Sequence, residues 1–271
     1  VRLAAPLRYA VVGADVSRSL SPRLHHALAA AEGMALTYAA CSIPDAADLA
    51  GELRALFASG LSGVNVTIPY KAAALAFADR ASPRAVRLGV ANCLARTRDG
   101  AIEAHNTDAP ALEHVLAPHV RAGDRVQVWG AGGAARAVVD ALEALGVGAI
   151  VLSARRREQA EALCVALAPR VSLEFAGLAP DPAAQVSISA LPASAWGDPG
   201  LALGPARFAL DLAYAPPGEA TPFVARARAA GLAAADGLEM LVEQAALSQE
   251  IWRGADLSRA RSVMRAAVGL D

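Results

Sequence analysis

Along this chain, short apolar runs rich in β-branched residues alternate with longer stretches whose apolar positions recur at helical spacing. Residues 9–12 read as a first strand ending at Gly13. Ser21-Pro22 then opens a helix, with Ser21 as N-cap and Pro22 at the first helical position, and Gly33 closes it. A second strand is expected at 36–42, a second helix at 45–58, and a third strand at 64–67, cut off by Pro69. Residues 94–95 and 102–104 read as short strands around the turn Asp99-Gly100.

The pattern restarts near Asn106-Thr107-Asp108, with a helix over 108–115. Residues 125–129 form a clean strand, followed by a glycine-rich turn and a long helix to Leu145. Further strands are expected at 149–153, 171–175, 186–189 and 208–211, with a helix over 157–167. From Leu238 the chain is helical twice over, broken at Gly254-Ala255. Alternation of this kind is the signature of an α/β fold with a largely parallel sheet. Two such units in succession, with closing helices, predict two lobes around a cleft. No solenoid-length repeat or low-complexity linker interrupts them.

Composition narrows the function classes. The chain has 271 residues, 55% of them hydrophobic, enough for substantial cores. Its net charge of -1 supplies no global field for nucleic acid or an anionic membrane. Cys41, Cys93 and Cys164 are odd in number and lack the C-x-x-C spacing, which argues against a disulfide framework or zinc site and for a reducing, cytoplasmic setting. No metal ligand set is evident. Residues 1–6 show no signal-peptide pattern, and the apolar stretch 134–152 is interrupted by Arg136, Asp140 and Glu143, so no membrane span is expected.

The glycine-rich turn carries the first candidate site. Gly130-Ala131-Gly132-Gly133-Ala134-Ala135 lies between an expected strand and an expected helix, the context in which G-x-G-x-x-A seats a dinucleotide. The first glycine permits the turn and the second admits a pyrophosphate. The small third residue lets helix pack on strand, and free N–H groups at the helix start bind phosphate. At the end of the next strand an NAD site needs a carboxylate; the chain has Ser153-Ala154-Arg155-Arg156-Arg157 instead. Adjacent guanidiniums suit a 2′-phosphate, which favours NADP. The competing reading is an arginine-rich, solvated helix start.

The second candidate site starts from one residue. Of the 25 basic side chains, Lys71 is the only lysine. A lysine amine can surrender its proton when its environment demands, which arginine cannot. Polar clusters fall where strands end or helices begin: Ser17-Arg18-Ser19-Leu20-Ser21, Asn65 and Thr67 with Lys71, Asn92, and Asn106-Thr107-Asp108. Ligands of open α/β sheets bind beyond the carboxyl ends of the strands. Such short hydroxyl and amide side chains suit a small polyol carrying a carboxylate. Singly, each also reads as a helix cap or turn residue. Lys71 and Asp108 form a candidate acid/base couple. Of the histidines, His25, His26, His114 and His119 read as structural or solvent-facing, and His105 as a remote reserve.

These residues, in this order, resemble the shikimate dehydrogenase family, whose NADP-dependent members reduce 3-dehydroshikimate to shikimate. The matching motifs are Ser19-x-Ser21-Pro22, Asn65-Val66-Thr67-x-Pro69-x-Lys71, Asn92, Asn106-Thr107-Asp108, the Gly130–Arg136 turn, Asp211-x-x-Tyr214-x-Pro216, Thr221-Pro222 and Gly237-x-x-Met240-Leu241-x-x-Gln244-Ala245. The resemblance implies a two-lobed α/β protein. Its α/β substrate domain would be 1–107 plus 238–271, with C-terminal helices returning to the first lobe, and a Rossmann-type NADP domain would span 108–237. It implies that Ser19 and Ser21 hold the substrate carboxylate, and that Asn65, Thr67, Asn92, Asp108, Tyr214 and Gln244 contact carboxylate or hydroxyls. Lys71 with Asp108 would move the proton while NADPH delivers hydride to the C3 carbonyl. Arg155 would take the 2′-phosphate, and Gly237 would belong to the cofactor site. The chain departs from the family at Arg18, Cys93, Ala109, Ser189-Ala190-Leu191-Pro192 and Glu239. The alternatives are a quinate/shikimate dehydrogenase with relaxed substrate or NAD use, and a catalytically silent metabolite binder. No nucleic-acid or membrane partner is expected, and the protein would be a monomer or homodimer.

Overall fold

The computed structural model describes residues 6–44, 47–168, 170–198, 200–216 and 218–270. The chain divides into two compact units, Val1–Thr107 with Leu241–Asp271, and Asp108–Met240. The first unit begins β1 (Leu7–Gly13), α1 (Ser21–Ala31), β2 (Leu36–Ser42), α2 (Leu49–Ala58), β3 (Gly63–Val66), α3 (Lys71–Phe77), β4 (Arg80–Ala81), α4 (Pro83–Leu88), β5 (Cys93–Arg96) and β6 (Ile102–His105). The second comprises α5 (Asp108–Leu116), β7 (Arg125–Trp129), α6 (Gly133–Ala144), β8 (Ala149–Ser153), α7 (Arg157–Leu167), β9 (Ser172–Phe175), β10 (Val186–Ser189), a 3₁₀ turn at Ala193–Gly197, β11 (Phe208–Asp211), α8 (Pro222–Ala229) and β12 (Ala233–Ala235). The helix α9 (Leu238–Arg253) starts in the second unit, and α10 (Leu257–Ala267) follows it in the first.

The first unit's sheet runs β2-β1-β3-β5-β6-β4. It is mixed rather than largely parallel: β1 pairs parallel with β2 and β3, but β5 is antiparallel to both β3 and β6. That inversion matters for the site. Asn65 pairs with Cys93, and Cys93 with His105, so β5 starts and β6 ends at the edge where β1 and β3 finish. Alternation along the strands sorts the two faces. Ala10, Val12, Val64, Val66 and Leu94 pack with Leu53, Phe57 and Ala74 of α2 and α3. Tyr9, Val11 and Tyr38 face the other way and meet Trp252 of α9. Beyond them, Leu24 and Leu28 of α1 close a core with Val242, Ala245, Ala246, Ala260 and Met264. Gly63 is glycine because the Trp252 indole lies where a Cβ would be, with Trp252 Nε1 donating to Leu94 O at 2.9 Å.

The second unit's sheet runs β12-β11-β10-β7-β8-β9 and is parallel throughout. Numbered within the unit, this is the doubly wound order 3-2-1-4-5-6 read from the β9 edge, with its switch point between β7 and β10. The helix starts follow local chemistry. Thr221 accepts the Val224 N–H at 3.2 Å ahead of Pro222, and Asp256 accepts from Arg259 at 2.7 Å.

Several expectations need correction. Leu20, not Ser21, is the N-cap of α1; Ser21 is its first helical residue, and the Leu20 side chain offers no cap hydrogen bond. The second helix starts at Leu49, capped by Asp48; of the expected start, Asp45 and Ala46 lie outside the described residues. The third strand ends at Val66, one residue short of Thr67, and β9 begins at Ser172 rather than 171. Residues 238–240 fall in the second unit, not the first.

Candidate functional site

In the first unit, the expected polar residues meet at one sheet edge through hydrogen bonds. Asn65 is 5% exposed. Its Nδ2 donates to Asn92 O at 3.1 Å and to Ser248 Oγ at 2.9 Å, while its Oδ1 accepts from the Tyr38 hydroxyl at 2.8 Å. The Ser21 hydroxyl also reaches Tyr38. Burial of the Tyr38 phenol drives its pKa well up, so it stays protonated and donating. Ser248 in turn donates to Gln244 O at 2.8 Å, and Gln244 Nε2 donates to Leu241 O at 2.7 Å. Ser19 is half-buried and its hydroxyl accepts the Ser21 N–H at 3.2 Å.

Asn92 grips the segment that follows β6. Its Oδ1 accepts the Thr107 N–H at 2.7 Å and its Nδ2 donates to Thr107 Oγ1 at 2.9 Å. Thr107 immediately precedes Asp108, so this clasp fixes the chain one residue before the carboxylate. Thr67 follows β3; its N–H reaches Val12 O at 2.8 Å and its carbonyl takes the Tyr70 N–H at 2.9 Å. Lys71 opens α3, half-buried, and its carbonyl accepts the Ala91 N–H at 2.9 Å, which ties the start of α3 to the Asn92 turn. A groove of about 660 Å³ lined by Arg54, Phe57, Phe77, Asp79 and Arg96 lies on the α2/α3 face and includes none of these residues.

Tyr38, His25, Ser248 and Gln249 were not among the residues singled out from sequence. Tyr38 reads as an ordinary core position of an alternating strand, and no local pattern marks it. His25, placed with the structural histidines, is fully buried and stacks on Tyr38 with ring centroids 4.0 Å apart. His26 accepts the Tyr38 N–H at 3.1 Å, and His105 sits 3.7 Å from Glu103.

In the second unit, Asp108 is 5% exposed and opens α5. Tyr214 follows β11 on a loop held from several sides. Asp211, fully buried, accepts the Ala213 N–H at 3.2 Å, and burial pushes its carboxyl pKa up against the pull of the Thr221 and Ser189 hydroxyls. Asp236 accepts the Ala215 N–H at 3.3 Å, and the Gly237 N–H donates to Ala213 O at 2.9 Å. A Cβ on Gly237 would overlap Leu212 O, so this glycine acts through close packing on the Tyr214 loop. Ser189, one of the departures, is buried and accepts from Trp196 Nε1 at 2.8 Å.

The dinucleotide turn fits its expected guest. Gly130 has φ +110°, donates to Ser153 O at 2.8 Å, and a Cβ there would come 3.2 Å from Ala190 O. Gly132 and Gly133 are exposed, with nothing within 4 Å of a Cβ at either. Ala131 and Ala134 are half-buried, and Ala135 is fully buried, which lets α6 close on the sheet. The first turn of α6 has no side-chain cap and no acidic residue, leaving its N–H groups for an anion. After β8, Arg155 and Arg156 are exposed. Arg157 is engaged elsewhere: its guanidinium lies 4.8 Å from the Phe175 ring and 3.4 Å from Glu161. Arg155 and Arg156 thus differ from Arg157, which already has these two partners. Among the described residues no three His, Cys, Asp or Glu side chains gather as metal ligands, and no helix is long and apolar enough to cross a membrane.

Comparison with known proteins agrees with this arrangement. Residues 11–94 match the shikimate dehydrogenase substrate binding domain, and 237–268 the shikimate 5'-dehydrogenase C-terminal domain. The shikimate dehydrogenase (NADP(+)) of Methylobacterium radiotolerans is 41% identical over 261 residues, covering 90% of each chain. That of Chromohalobacter salexigens is 38% identical over 253 residues, covering 91% of this chain and 92% of its own. The crystal structure of Thermus thermophilus shikimate 5-dehydrogenase in complex with NADP(H) and shikimate superposes with a TM-score of 0.82 at 32% identity, over 96% of this chain and 99% of that one. On this extent of shared sequence and fold, the chain belongs to the shikimate dehydrogenase family.

Proposed function

We propose that this protein is an NADP-dependent oxidoreductase that interconverts 3-dehydroshikimate and shikimate in the cytoplasm, as a monomer or homodimer. The observation that carries the reading is the hydrogen-bonded edge of the first unit, where Ser21, Asn65 and Asn92 are joined through Tyr38 and Thr107, with Lys71 opening the next helix. Ser19 and Ser21 hold the substrate carboxylate. Asn65, Thr67, Asn92, Tyr214 and Gln244 receive its hydroxyls. Lys71 gives a proton to the oxygen at C3, and Asp108 is the carboxylate partner in that transfer.

The turn from Gly130 to Ala135 takes the diphosphate of the cofactor, and Arg155 its 2′-phosphate, for which a delocalised, permanently charged fork is suited. A bound NADPH supplies the hydride for the C3 carbonyl. Gly237 belongs to this half through the loop it supports. Purified protein incubated with shikimate or quinate, and with NADP⁺ or NAD⁺, tests the reading through absorbance of the reduced nicotinamide. Turnover with shikimate and NADP⁺ is expected. Preference for quinate with NAD⁺ would replace the substrate assignment, and absence of turnover with every pairing would replace catalysis by simple binding.

A further inference from the structure

Behind Asn65 and Ser21 lies a buried polar chain that the reaction itself does not use. Gln249 is fully buried on α9. Its Oε1 accepts from Arg253 Nε at 2.6 Å, and Arg253 pairs with Glu32 at 2.6 Å. Arginine has only donors, so this contact fixes which way the Gln249 amide faces. The amide nitrogen is then turned toward His25 Nδ1, at 2.8 Å. His25 Nδ1 must accept, so the ring proton resides on Nε2. The imidazole lies face to face with the Tyr38 ring, 4.0 Å away at 7°, and tilted against Trp252 at 5.7 Å. His26 meanwhile takes the Tyr38 backbone N–H. Two consecutive histidines of α1 thus hold Tyr38, one by its ring and one by its main chain.

Simple packing does not call for this arrangement. A fully buried imidazole and amide carry a desolvation cost that an aliphatic pair of similar volume avoids. What the polar chain adds is direction. The Tyr38 ring is fixed in its plane, its hydroxyl points at Asn65 Oδ1, and the Asn65 amide is thereby turned so that its nitrogen faces Asn92 O and Ser248.

We propose that His25, held by Gln249 and Arg253, is a positioning residue: it sets the Tyr38 ring so that the Tyr38 hydroxyl orients the Asn65 amide and holds the Ser21 side chain in place beside the substrate. The inference rests on the substrate reading above for the role of Ser21 and Asn65.

The experiment compares wild-type protein with His25→Leu, His25→Gln and Gln249→Leu. Histidine ¹⁵N spectra of the wild type should show an unprotonated Nδ1 and a protonated Nε2, unchanged from about pH 8 to about pH 5. His25→Leu and Gln249→Leu each leave one member of the pair without its buried partner. Each should raise the dissociation constant and KM for shikimate about tenfold, with KM for NADP⁺ and kcat within about threefold of wild type. His25→Gln, which keeps a side-chain acceptor, should recover most of the loss. Affinities for shikimate and NADP⁺ falling together, unchanged shikimate affinity, no rescue by glutamine, or a protonated Nδ1 would each overturn the positioning role while leaving wild-type turnover in place. A wild type that neither binds nor turns over shikimate would remove the substrate reading and this role with it.

Discussion

Acidification from pH 7 to pH 5 should cost this protein stability through His25. The ring is fully buried, and desolvation, then the nearby charges of His26 and Arg253, lower its pKa from 6.5 to about 3. The native state therefore refuses a proton that the unfolded chain accepts below its ordinary value. Stability from this group is complete above about pH 6.5 and is lost as pH falls toward the native value, at roughly 1.4 kcal/mol per pH unit. Between pH 7 and pH 5 the unfolded state alone titrates, which amounts to about 2 kcal/mol. Any native pKa below about 4 gives the same figure, because the native ring stays neutral throughout that interval. Urea unfolding of wild type and His25→Gln at pH 7, 6 and 5 isolates the effect. The difference between the two proteins cancels His105, His119 and every carboxylate. Wild type should lose about 2 kcal/mol more than the variant over that range. Parallel pH dependence in the two proteins would refute the buried neutral imidazole.

Lys71→Ala should lower kcat by about 10²- to 10⁴-fold with little change in shikimate affinity, measured by steady-state turnover and equilibrium binding. Near-normal turnover would take Lys71 out of the proton transfer. Arg155→Ala should weaken NADP⁺ by about tenfold or more and leave NAD⁺ nearly unaffected, read as the ratio of the two dissociation constants. Gly132→Ala separates a binding glycine from a folding one. The residue has φ −89° and open space around a Cβ, so urea unfolding should show only the loss of about 1 kcal/mol or less that alanine costs at a helix N-cap, while NADP⁺ affinity falls. Asn65→Asp removes both buried amide donors and sets a carboxylate against Asn92 O. A stability loss of about 2 kcal/mol or more and a raised KM for shikimate are expected from unfolding and kinetics.

Most of the parallel strands were legible because each is a short apolar run closed by Gly, Pro or a polar cap. Five were placed without error: β2, β7, β8, β10 and β11. The helix α3 escaped because it is only a seven-residue turn of Lys-Ala-Ala-Ala-Leu-Ala-Phe behind a proline, too short for its own periodicity. The mixed character of the first sheet escaped for a different reason. The turn Asp99-Gly100 makes β5 and β6 antiparallel neighbours, but that β5 also runs against β3 is set by tertiary pairing, which no local pattern declares. Among the candidate residues, Lys71, Asn65, Asn92 and the Gly130 turn were readable from type and position. Tyr38 and His25 were not, since burial and stacking across β2, α1 and α9 give them their roles. Of the three adjacent arginines the resemblance singled out Arg155, and the Phe175 ring shows what Arg157 stacks on, which no local pattern declares.

The hydrogen-bond directions restrict which substrate groups each side chain can meet. Both Asn65 N–H bonds are committed, to Asn92 O and Ser248 Oγ, and one lone pair of its oxygen is committed to Tyr38. What remains is a single acceptor site, so Asn65 can take a hydroxyl proton but cannot donate to a carboxylate. The Tyr38 proton is likewise spent on Asn65, which leaves its oxygen to accept from Ser21. A carboxylate arriving at Ser21 must therefore draw that hydroxyl away from Tyr38. The exchange replaces a neutral hydrogen bond by a charge-assisted one, roughly twice as strong, and leaves the Tyr38-to-Asn65 bond untouched. Under the proposed function, donation to the acid would fall to the serines at the start of α1, and acceptance from the ring hydroxyls to the asparagines at the strand ends. That division follows from the buried network itself, before any ligand is present.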